Sequence, residues 1–184
     1  ERLLVLEIPF LGINIGKLGF LTDIDVDSIK LDLPHIFKGD YVLEKRPLLE
    51  VSASNAYKKV AVNEVVFHSG KIAQMISFSI YQGDNLISKH KSDGVIVSSA
   101  TGSTGYLFSG GGPIIHPTLS VFAIMPMFSQ SASSNPMVLT SKEEITIKLE
   151  KNVKATIVVD GHIDANITEE SHIIISVSYT HLRA

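Results

Sequence analysis

The sequence predicts a mainly β protein, with a β-sandwich over residues 41–177 that follows the remnant of an α/β domain over residues 1–40. Two observations carry this prediction. After residue 40, short runs rich in β-branched and aromatic residues recur about every 8–12 residues, and Ser, Asn, Gly and Asp turns separate them. In addition, 45% of the 184 residues are hydrophobic and only 19% are charged, which suits a filled core and excludes a disordered chain.

The first forty residues combine a strand with a short helix. The strand is predicted over residues 9–13. Gly16 and Gly19 follow it and mark a turn where the backbone comes close to a neighbour. Asp25 and Asp27 are predicted N-caps for an amphipathic helix after them. The segment is typical of the end of an α/β domain, and we expect further residues upstream of the first one.

From residue 41 the pattern is that of strands with one buried face. Phe78 and Ile80, for example, alternate with Ser77 and Ser79. Residues 178–184 do not continue the pattern before them, as expected of a non-native tail, and we leave them out of the functional interpretation. The predicted strands are 41–54, 59–68, 72–81, 85–90, 94–99, 122–127, 144–150, 155–160 and 171–177.

Composition excludes several classes of function. Sixteen Lys and Arg against 19 Asp and Glu leave a net charge of −3, so the chain lacks the basic field of a nucleic-acid-binding protein. No apolar run approaches the roughly 20 residues of a membrane helix. The absence of cysteine excludes disulfides, thiolate metal sites and Cys nucleophiles, and it is compatible with a reducing compartment such as the cytoplasm. The seven histidines form no array with metal-ligand spacing.

The densest unusual stretch is residues 93–113, which runs from a strand into a loop with five glycines between residues 98 and 112. Exposed backbone N–H groups and hydroxyls in such a loop suit a ligand rich in acceptors, such as the ribose and phosphates of a nucleotide. Tight turns between strands would explain the same composition. The stretch is neither a Walker A loop, because the required Lys is missing, nor a Gly-x-Ser-x-Gly hydrolase elbow.

A second candidate is the pair Asn63-Glu64, which interrupts an otherwise apolar strand. Burying an amide and a carboxylate at such a position is costly unless both are hydrogen-bonded. A satisfied structural pair or a position at a sheet edge would account for it as well as a binding site does.

Taken together and in order, five segments resemble the NAD kinases, and most closely the bacterial enzymes. Each segment alone is a modest signal, whereas the ordered set with matching spacing is specific, and the resemblance covers essentially residues 5–165. Two of the segments carry most of it: Asn63-Glu64-Val65-Val66-x-His68, and Thr101-Gly102-Ser103-Thr104-x-Tyr106 with the Gly-Gly-Pro that ends at residue 113. The others are residues 12–23, 44–50 and 92–94.

The resemblance implies an NAD-kinase-like C-terminal β-sandwich preceded by the end of an α/β N-terminal domain. It also implies a cytoplasmic enzyme that transfers the γ-phosphoryl of ATP to the 2′-hydroxyl of the adenosine ribose of NAD, giving NADP. The implied cofactor is Mg²⁺, the implied ligands are NAD and ATP, and the implied assembly is a homo-oligomer, either a dimer or a tetramer. Neither nucleic acid nor a membrane is an implied partner.

The resemblance also assigns binding roles to particular residues. Asn63 and Glu64 would hold the ribose and adenine region of NAD, and Asp93 the nicotinamide side or a second ribose. Lys91 matches a position with a basic ligand contact, which suits a phosphate-bearing substrate. The loop would line the adenine and ribose pocket, with Tyr106 stacking on the base. The complete NAD-binding set is Asn63, Glu64, Gln74, Lys91, Asp93, Thr104, Gly105, Tyr106, Leu107, Phe108, Ser109 and His162.

The chain departs from the family pattern at several of these positions. Gly105 stands where Ala is usual, Gln74 where the closest relatives often have His, and His162 where Gln is common. The Gly-Gly-Asp-Gly motif, whose aspartate is taken as the base for the 2′-hydroxyl, is expected upstream of residue 1. We therefore assign no catalytic residue and no metal ligand within the chain, and expect this fragment alone to be inactive.

Two alternatives remain open at this point. One is a β-sandwich module that binds NAD or NADP without catalysis. The other is the related group of lipid kinases, which has the same two-domain plan and its own Gly-Gly-Asp-Gly. The Asn63-Glu64 pair and the loop at 101–113 favour the family with a nucleotide substrate, because no apolar or basic surface motif points to a lipid.

Overall fold

The computed structural model describes residues 9–15, 22, 24–53, 57–71, 74–130 and 134–183, with the backbone alone over 179–183. Within these residues the chain forms fourteen strands, two α-helices and a 3₁₀ turn. In chain order they are β1 (Ile13–Asn14), β2 (Ile24–Asp25), α1 (Ile29–Phe37), β3 (Lys45–Ala53), β4 (Tyr57–Ala61), β5 (Glu64–His68), β6 (Ile76–Gln82), β7 (Asn85–Ser92), β8 (Gly94–Ser98), the 3₁₀ turn (Thr101–Thr104), α2 (Tyr106–Ser109), β9 (Val121–Met127), β10 (Met137–Thr140), β11 (Ile145–Leu149), β12 (Lys154–Val159), β13 (His162–Thr168) and β14 (Ile173–Arg183).

The strands confirm the predicted β-sandwich. Six of them form one antiparallel sheet in the order β10-β9-β8-β5-β12-β13, and six form a second antiparallel sheet in the order β4-β3-β14-β11-β6-β7. β1 and β2 form a separate parallel pair beside α1, as in the end of an α/β unit. None of the helices among the described residues has the length and hydropathy needed to cross a membrane.

The central strands of the first sheet are buried on both faces. In β5, Val65 and Phe67 belong to the large core between the sheets, whereas Val66 belongs to a smaller core on the opposite face. The glycine-rich loop covers that second face, where Leu107 is fully buried. Double burial explains why β5 and β8 are continuous apolar runs instead of alternating patterns, because neither face of the sheet is left to water.

Several predicted strands have different bounds in the structure. The run 59–68 is two strands, β4 and β5, in different sheets. The strand predicted from residue 41 begins at Lys45. β10 and β13, the two edge strands of the first sheet, were not predicted: β10 has only four residues, and β13 has a mixed sequence that leaves most of its side chains exposed. β14 continues to Arg183 by pairing with β3, so the predicted start of the tail at 178 is not a strand end.

The helix α1 also begins differently from its prediction. Its N-cap is Ser28, and not Asp25 or Asp27. Asp25 lies before the N-cap, and its carboxylate accepts the N–H of Ser28 at 2.7 Å. This hydrogen bond lowers the pKa of Asp25. The predicted glycine turn at Gly16 and Gly19 lies outside the described residues.

Candidate functional site

The pair Asn63-Glu64 lies where the chain passes from one sheet to the other. β4 ends at Ala61 in the second sheet, β5 begins at Glu64 in the first, and Val62 and Asn63 form the link between them. A link of two residues cannot satisfy its own backbone groups, so they need partners from elsewhere in the fold. Two segments distant in sequence supply these partners.

The carboxylate of Asp160 accepts three backbone N–H groups at this link. Its Oδ2 accepts from Val62 at 2.7 Å, and its Oδ1 accepts from Asn63 at 2.7 Å and from Glu64 at 3.1 Å. The N–H of Asp160 in turn donates to the carbonyl of Glu64 at 3.0 Å. Hydrogen bonds to a carboxylate are about twice as strong as neutral ones, so the β12–β13 turn holds the link firmly.

Ser98 and Ser99, at the end of β8, hold the same link through its carbonyl groups. The Ser99 hydroxyl donates to the carbonyl of Val62 at 2.7 Å, and the Ser99 N–H donates to that of Asn63 at 2.9 Å. The Ser98 hydroxyl adds a bond of 3.2 Å to the same Asn63 carbonyl. The backbone on both sides of the Asn63 side chain is therefore fixed by two different elements.

The glycine-rich loop lies directly on this link. The N–H of Gly102 donates to the Ser99 hydroxyl at 3.0 Å, and a Cβ added at Gly102 would lie 2.2 Å from the carbonyl oxygen of Asn63. A Cβ at Gly105 would lie 3.0 Å from Oε2 of Glu64. Only residues without a side chain allow so close an approach of two backbones. The two stretches that the sequence marked separately therefore meet in one site.

Glu64 is a buried ionisable residue at this link, and its pKa is raised. Its residue is only 7% exposed, and its Oε2 has no hydrogen-bond partner in the described part of the protein. Burial and, after it, the negative charge of Asp160 raise the pKa of Glu64 to about 7, although the N–H of Tyr106 favours the charged form. The N–H groups of all five loop glycines donate within the protein, so the loop does not present the free backbone donors expected from its composition. The unpartnered buried carboxyl oxygen of Glu64, beside exposed Gly105, is suited to accept a hydrogen bond from a ligand.

The loop is anchored so that its polar side stays in place. The hydroxyl of Ser103 accepts the N–H of Ile115 at 3.0 Å and lies 3.3 Å from the Ile115 carbonyl oxygen. Leu107, a predicted binding residue, is fully buried in the smaller core, where its side chain secures α2. Tyr106 and Phe108 on the same helix are about half exposed and are free to contact a ligand.

The structure brings most of the predicted binding residues to this site. Besides Asn63 and Glu64, they are the consecutive loop positions and one residue of β13. His162 of β13 is exposed, with its Nδ1 at 3.0 Å from the carbonyl oxygen of Asp160. The loop residues are Thr104, Gly105, Tyr106, Leu107, Phe108 and Ser109.

Three predicted binding residues lie elsewhere. Ser98 pairs with Glu64, whereas Gly94, at the other end of β8, pairs with His68. Asp93 therefore lies roughly 16 Å along the strand from the Asn63-Glu64 link, at about 3.3 Å per residue. Lys91, which is exposed, and Gln74, which precedes β6, lie at that same far end. The predicted binding residues thus form two groups, one at each end of β8.

No three His, Asp or Glu side chains among the described residues come together in a way that could hold a metal ion. A cavity of about 690 Å³ lies apart from both groups, between α1 and the segment 40–44, and none of the predicted binding residues lines it. The link under the glycine-rich loop, which we call the 63–64 site, is therefore the strongest candidate for function.

The part of the chain that contains this site matches a known family model. Residues 62–184, more than half of the chain, match the model described as the ATP-NAD kinase C-terminal domain. The chain belongs to the NAD kinase family. The resemblance given by the sequence motifs is thereby confirmed.

Individual NAD kinases extend this match upstream of residue 62. The NAD kinase of Pseudoalteromonas translucida is 38% identical over 183 residues, which are 96% of this chain and 62% of that protein. The NAD kinase of Escherichia coli O7:K1 is 42% identical over 146 residues, which are 77% of this chain and 50% of that protein. The chain thus spans about half to three fifths of the length of these relatives.

Solved structures of NAD(H) kinases share the fold. The NAD kinase of Archaeoglobus fulgidus, solved in complex with ATP, superposes with a TM-score of 0.81 at 30% identity over 95% of this chain and 67% of that one. Yeast NADH kinase, solved with NADH, superposes with a TM-score of 0.87 at 24% identity over 95% of this chain and 53% of that one, which shows the shared fold.

In this member of the NAD kinase family, the sequence did not predict which residues hold the backbone of the 63–64 site in place. Asp160-Gly161 was interpreted as a turn, which is correct, since both residues have positive φ between β12 and β13. The three amides that Asp160 holds, however, lie 96 to 98 residues earlier in the chain. No local pattern signals such a contact. The backbone N–H groups of residues 62–64 must each have an acceptor, but nothing in the sequence identifies Asp160 as that acceptor.

Proposed function

We propose that this chain is the nucleotide-binding part of an NAD kinase, which uses ATP to phosphorylate the 2′-hydroxyl of the adenosine ribose of NAD. The observation that carries the proposal is the 63–64 site: a buried carboxylate with an unpartnered oxygen under a glycine-rich loop, in a chain of the NAD kinase family. The proposal is supported further by NAD kinase relatives that match this chain over nearly its whole length.

The groups of the 63–64 site suit the adenosine half of NAD. Glu64 in its charged form accepts hydrogen bonds from ribose hydroxyls, and the amide of Asn63 both donates and accepts. Tyr106, 46% exposed on the loop, offers its ring to an adenine face. The rigid backbone of the link and the loop would orient the ribose without a conformational cost at each binding event.

In the proposed reaction, the 2′-oxygen of the ribose bonds to the γ-phosphorus of ATP, and the bond from that phosphorus to the bridging oxygen breaks. ADP leaves with the bond's electron pair, and a base takes up the hydroxyl proton. Phosphoryl transfer depends mainly on positioning and on charge stabilisation. The described residues would supply positioning of the acceptor, and we assign the base to none of them.

Four finer expectations belong to the same proposal. Mg²⁺ would arrive bound to the phosphates of ATP, since the ion is commonly held by substrate phosphates with few protein ligands. The enzyme would be cytoplasmic, in keeping with a chain without cysteine. The nicotinamide side of a bound dinucleotide would contact the group at the other end of β8, which consists of Lys91, Asp93 and Gln74. The assembly would be a dimer or a tetramer.

Calorimetry with NAD and NADP tests the site. We expect the chain to bind, and we expect Asn63→Ala and Tyr106→Ala each to weaken binding about tenfold, because a hydrogen bond to a ligand or a base stacked on a ring contributes roughly 1–2 kcal/mol. Tyr106→Phe keeps the ring and should lose less. Asn85→Ala, at an exposed hairpin of the second sheet, is the matched control and should bind as the unmodified chain does.

A folded chain that gives no heat with either nucleotide would contradict the proposal, as would Asn63→Ala and Tyr106→Ala variants with unchanged affinity. Catalysis is tested on the whole open reading frame that contains this chain, by NADP formation from NAD and ATP. Binding by that protein with no NADP formed would favour the non-catalytic NAD(P)-binding module.

A further inference from the structure

Asp160 belongs to none of the groups that face a ligand in the proposed function, and yet its side chain is the most connected polar group of the 63–64 site. It accepts three backbone N–H groups, from Val62, Asn63 and Glu64. A turn residue needs none of these bonds to make its own turn, because Gly161 beside it already supplies the conformational freedom.

The geometry points to a specific consequence for the link. Two residues between strands of different sheets could adopt several backbone conformations, and each would direct the Asn63 side chain differently. With their N–H groups held by Asp160 and their C=O groups held by Ser98 and Ser99, a single conformation remains. The side-chain directions of Asn63 and Glu64 are thereby set by a residue that does not itself need to touch the ligand.

We propose that Asp160 is the positioning residue of the 63–64 site: its carboxylate fixes the backbone of residues 62–64, and nucleotide binding depends on that fixed geometry. The inference rests on the proposed function for its ligand, although the positioning itself is a property of the chain alone. Ser99 is the counterpart on the opposite side, where its hydroxyl joins the link to Gly102 of the loop.

Asp160 has a second influence on Glu64, through its charge. The charged group that acts on Glu64 is Asp160 on the β12–β13 turn, and the backbone N–H of Tyr106 on α2 hydrogen-bonds the Glu64 carboxyl. The Asp160 charge raises the pKa of Glu64, so it favours the protonated carboxyl, whereas the Tyr106 N–H favours the charged form. A variant that removes the charge should therefore lower the pKa of Glu64, an effect that a merely structural turn residue at a distance would not have.

Two substitutions separate the parts of this role. Asp160→Asn keeps a residue that tolerates the left-handed φ of 44°, but it removes the charge and places an N–H₂ group against one of the three donors. Asp160→Gly removes the side chain from a residue with positive φ, which glycine adopts freely, and removes all three hydrogen bonds. Asp84→Asn, in the exposed β6–β7 turn after Gly83, is the matched control for loss of a turn carboxylate.

We expect Asp160→Asn to weaken NAD binding about tenfold and Asp160→Gly to weaken it further, since charge-assisted hydrogen bonds to the link are lost. The ¹³C titration of the Glu64 carboxyl should move to lower pH in both variants. The amide signals of residues 62–64 should shift, and they should exchange faster with solvent. Asp84→Asn should change none of these quantities.

The outcomes also separate this inference from the proposed function. If the unmodified chain binds NAD and both Asp160 variants bind it equally well while remaining folded, Asp160 is not a positioning residue. If the unmodified chain binds no nucleotide, the proposed function fails. In that case the NMR data decide the positioning role, and unchanged amide signals and an unchanged Glu64 titration in Asp160→Asn would overturn it.

Discussion

Replacing Gly102 with alanine is expected to destabilise the chain by roughly 3 kcal/mol or more and to abolish nucleotide binding at the 63–64 site. The added Cβ would lie 2.2 Å from the carbonyl oxygen of Asn63, 2.4 Å from its carbonyl carbon and 2.6 Å from its Cα. All three are backbone atoms that Asp160 and Ser99 hold in place, so they cannot move aside cheaply. Either the loop lifts away from the link or the link loses its hydrogen bonds.

Urea unfolding and calorimetry with NAD measure both effects of Gly102→Ala. Gly111→Ala is the matched control, because Gly111 lies in the same loop and a Cβ there would meet nothing within 4 Å. Its φ of 90° leaves only the usual cost of a side chain in that conformation, about 1 kcal/mol. A Gly102→Ala chain as stable as the Gly111→Ala chain would show that the loop does not rest on the link as described.

Glu64→Gln is expected to stabilise the chain at alkaline pH by about 2–3 kcal/mol while it weakens nucleotide binding. The pKa of Glu64 is raised from 4.5 to about 7 in the folded chain. Between these two pH values the unfolded chain releases the proton and the folded chain retains it, so stability falls as the pH rises. Above about pH 7 the full cost of a buried charge remains. A neutral glutamine avoids this cost.

The difference in unfolding free energy between Glu64→Gln and the unmodified chain should therefore be near zero at pH 4.5, grow through pH 5–7 and level off above that. Urea unfolding across this range measures it. Glu143→Gln, which changes an exposed glutamate in the β10–β11 turn, should give no such pH-dependent difference. A Glu64→Gln chain that is less stable than the unmodified one at pH 8 would mean that the charged carboxylate is a net stabilising group.

The expected gain in stability has a functional meaning. Substitutions that stabilise a protein commonly lower its function where the site needs a strained or destabilised group. An orphaned Oε2 under a glycine-rich loop fits the requirement of a bound nucleotide better than that of packing. Stability and binding should thus change in opposite directions for Glu64→Gln, whereas Gly102→Ala lowers both.

Much of the sandwich could be predicted from local sequence. Seven strand regions from β5 to β12 were found because β-branched and aromatic runs favour extended backbone whichever strands they pair with. β13 was missed because an edge strand needs little apolar surface, and it exposes even Ile163. β10 was missed because the strand is only four residues long. The run 59–68 was predicted as one strand, because nothing local shows that its two halves join different sheets.

The candidate site was also predictable only in part from the sequence. Asn63, Glu64 and the loop residues were predicted as binding residues because their types and order are those of a family, and the structure places them next to one another. The separation of Lys91 and Asp93 from Glu64 could not be foreseen, since it depends on the direction in which β8 runs beside β5. The buried position of Leu107 likewise depends on which face of α2 meets the first sheet.

The sequence by itself determined the family, the fold class and the residue types of the candidate site, because motifs and local propensities are properties of neighbouring residues. Only the tertiary structure decided how those residues are held. Asp160 reaches back 98 residues to Val62, and Gly102 fits against Asn63 only when two strands are paired in register. Such contacts depend on the folding of distant segments onto one core, and their geometry is therefore set by packing and not by any local pattern.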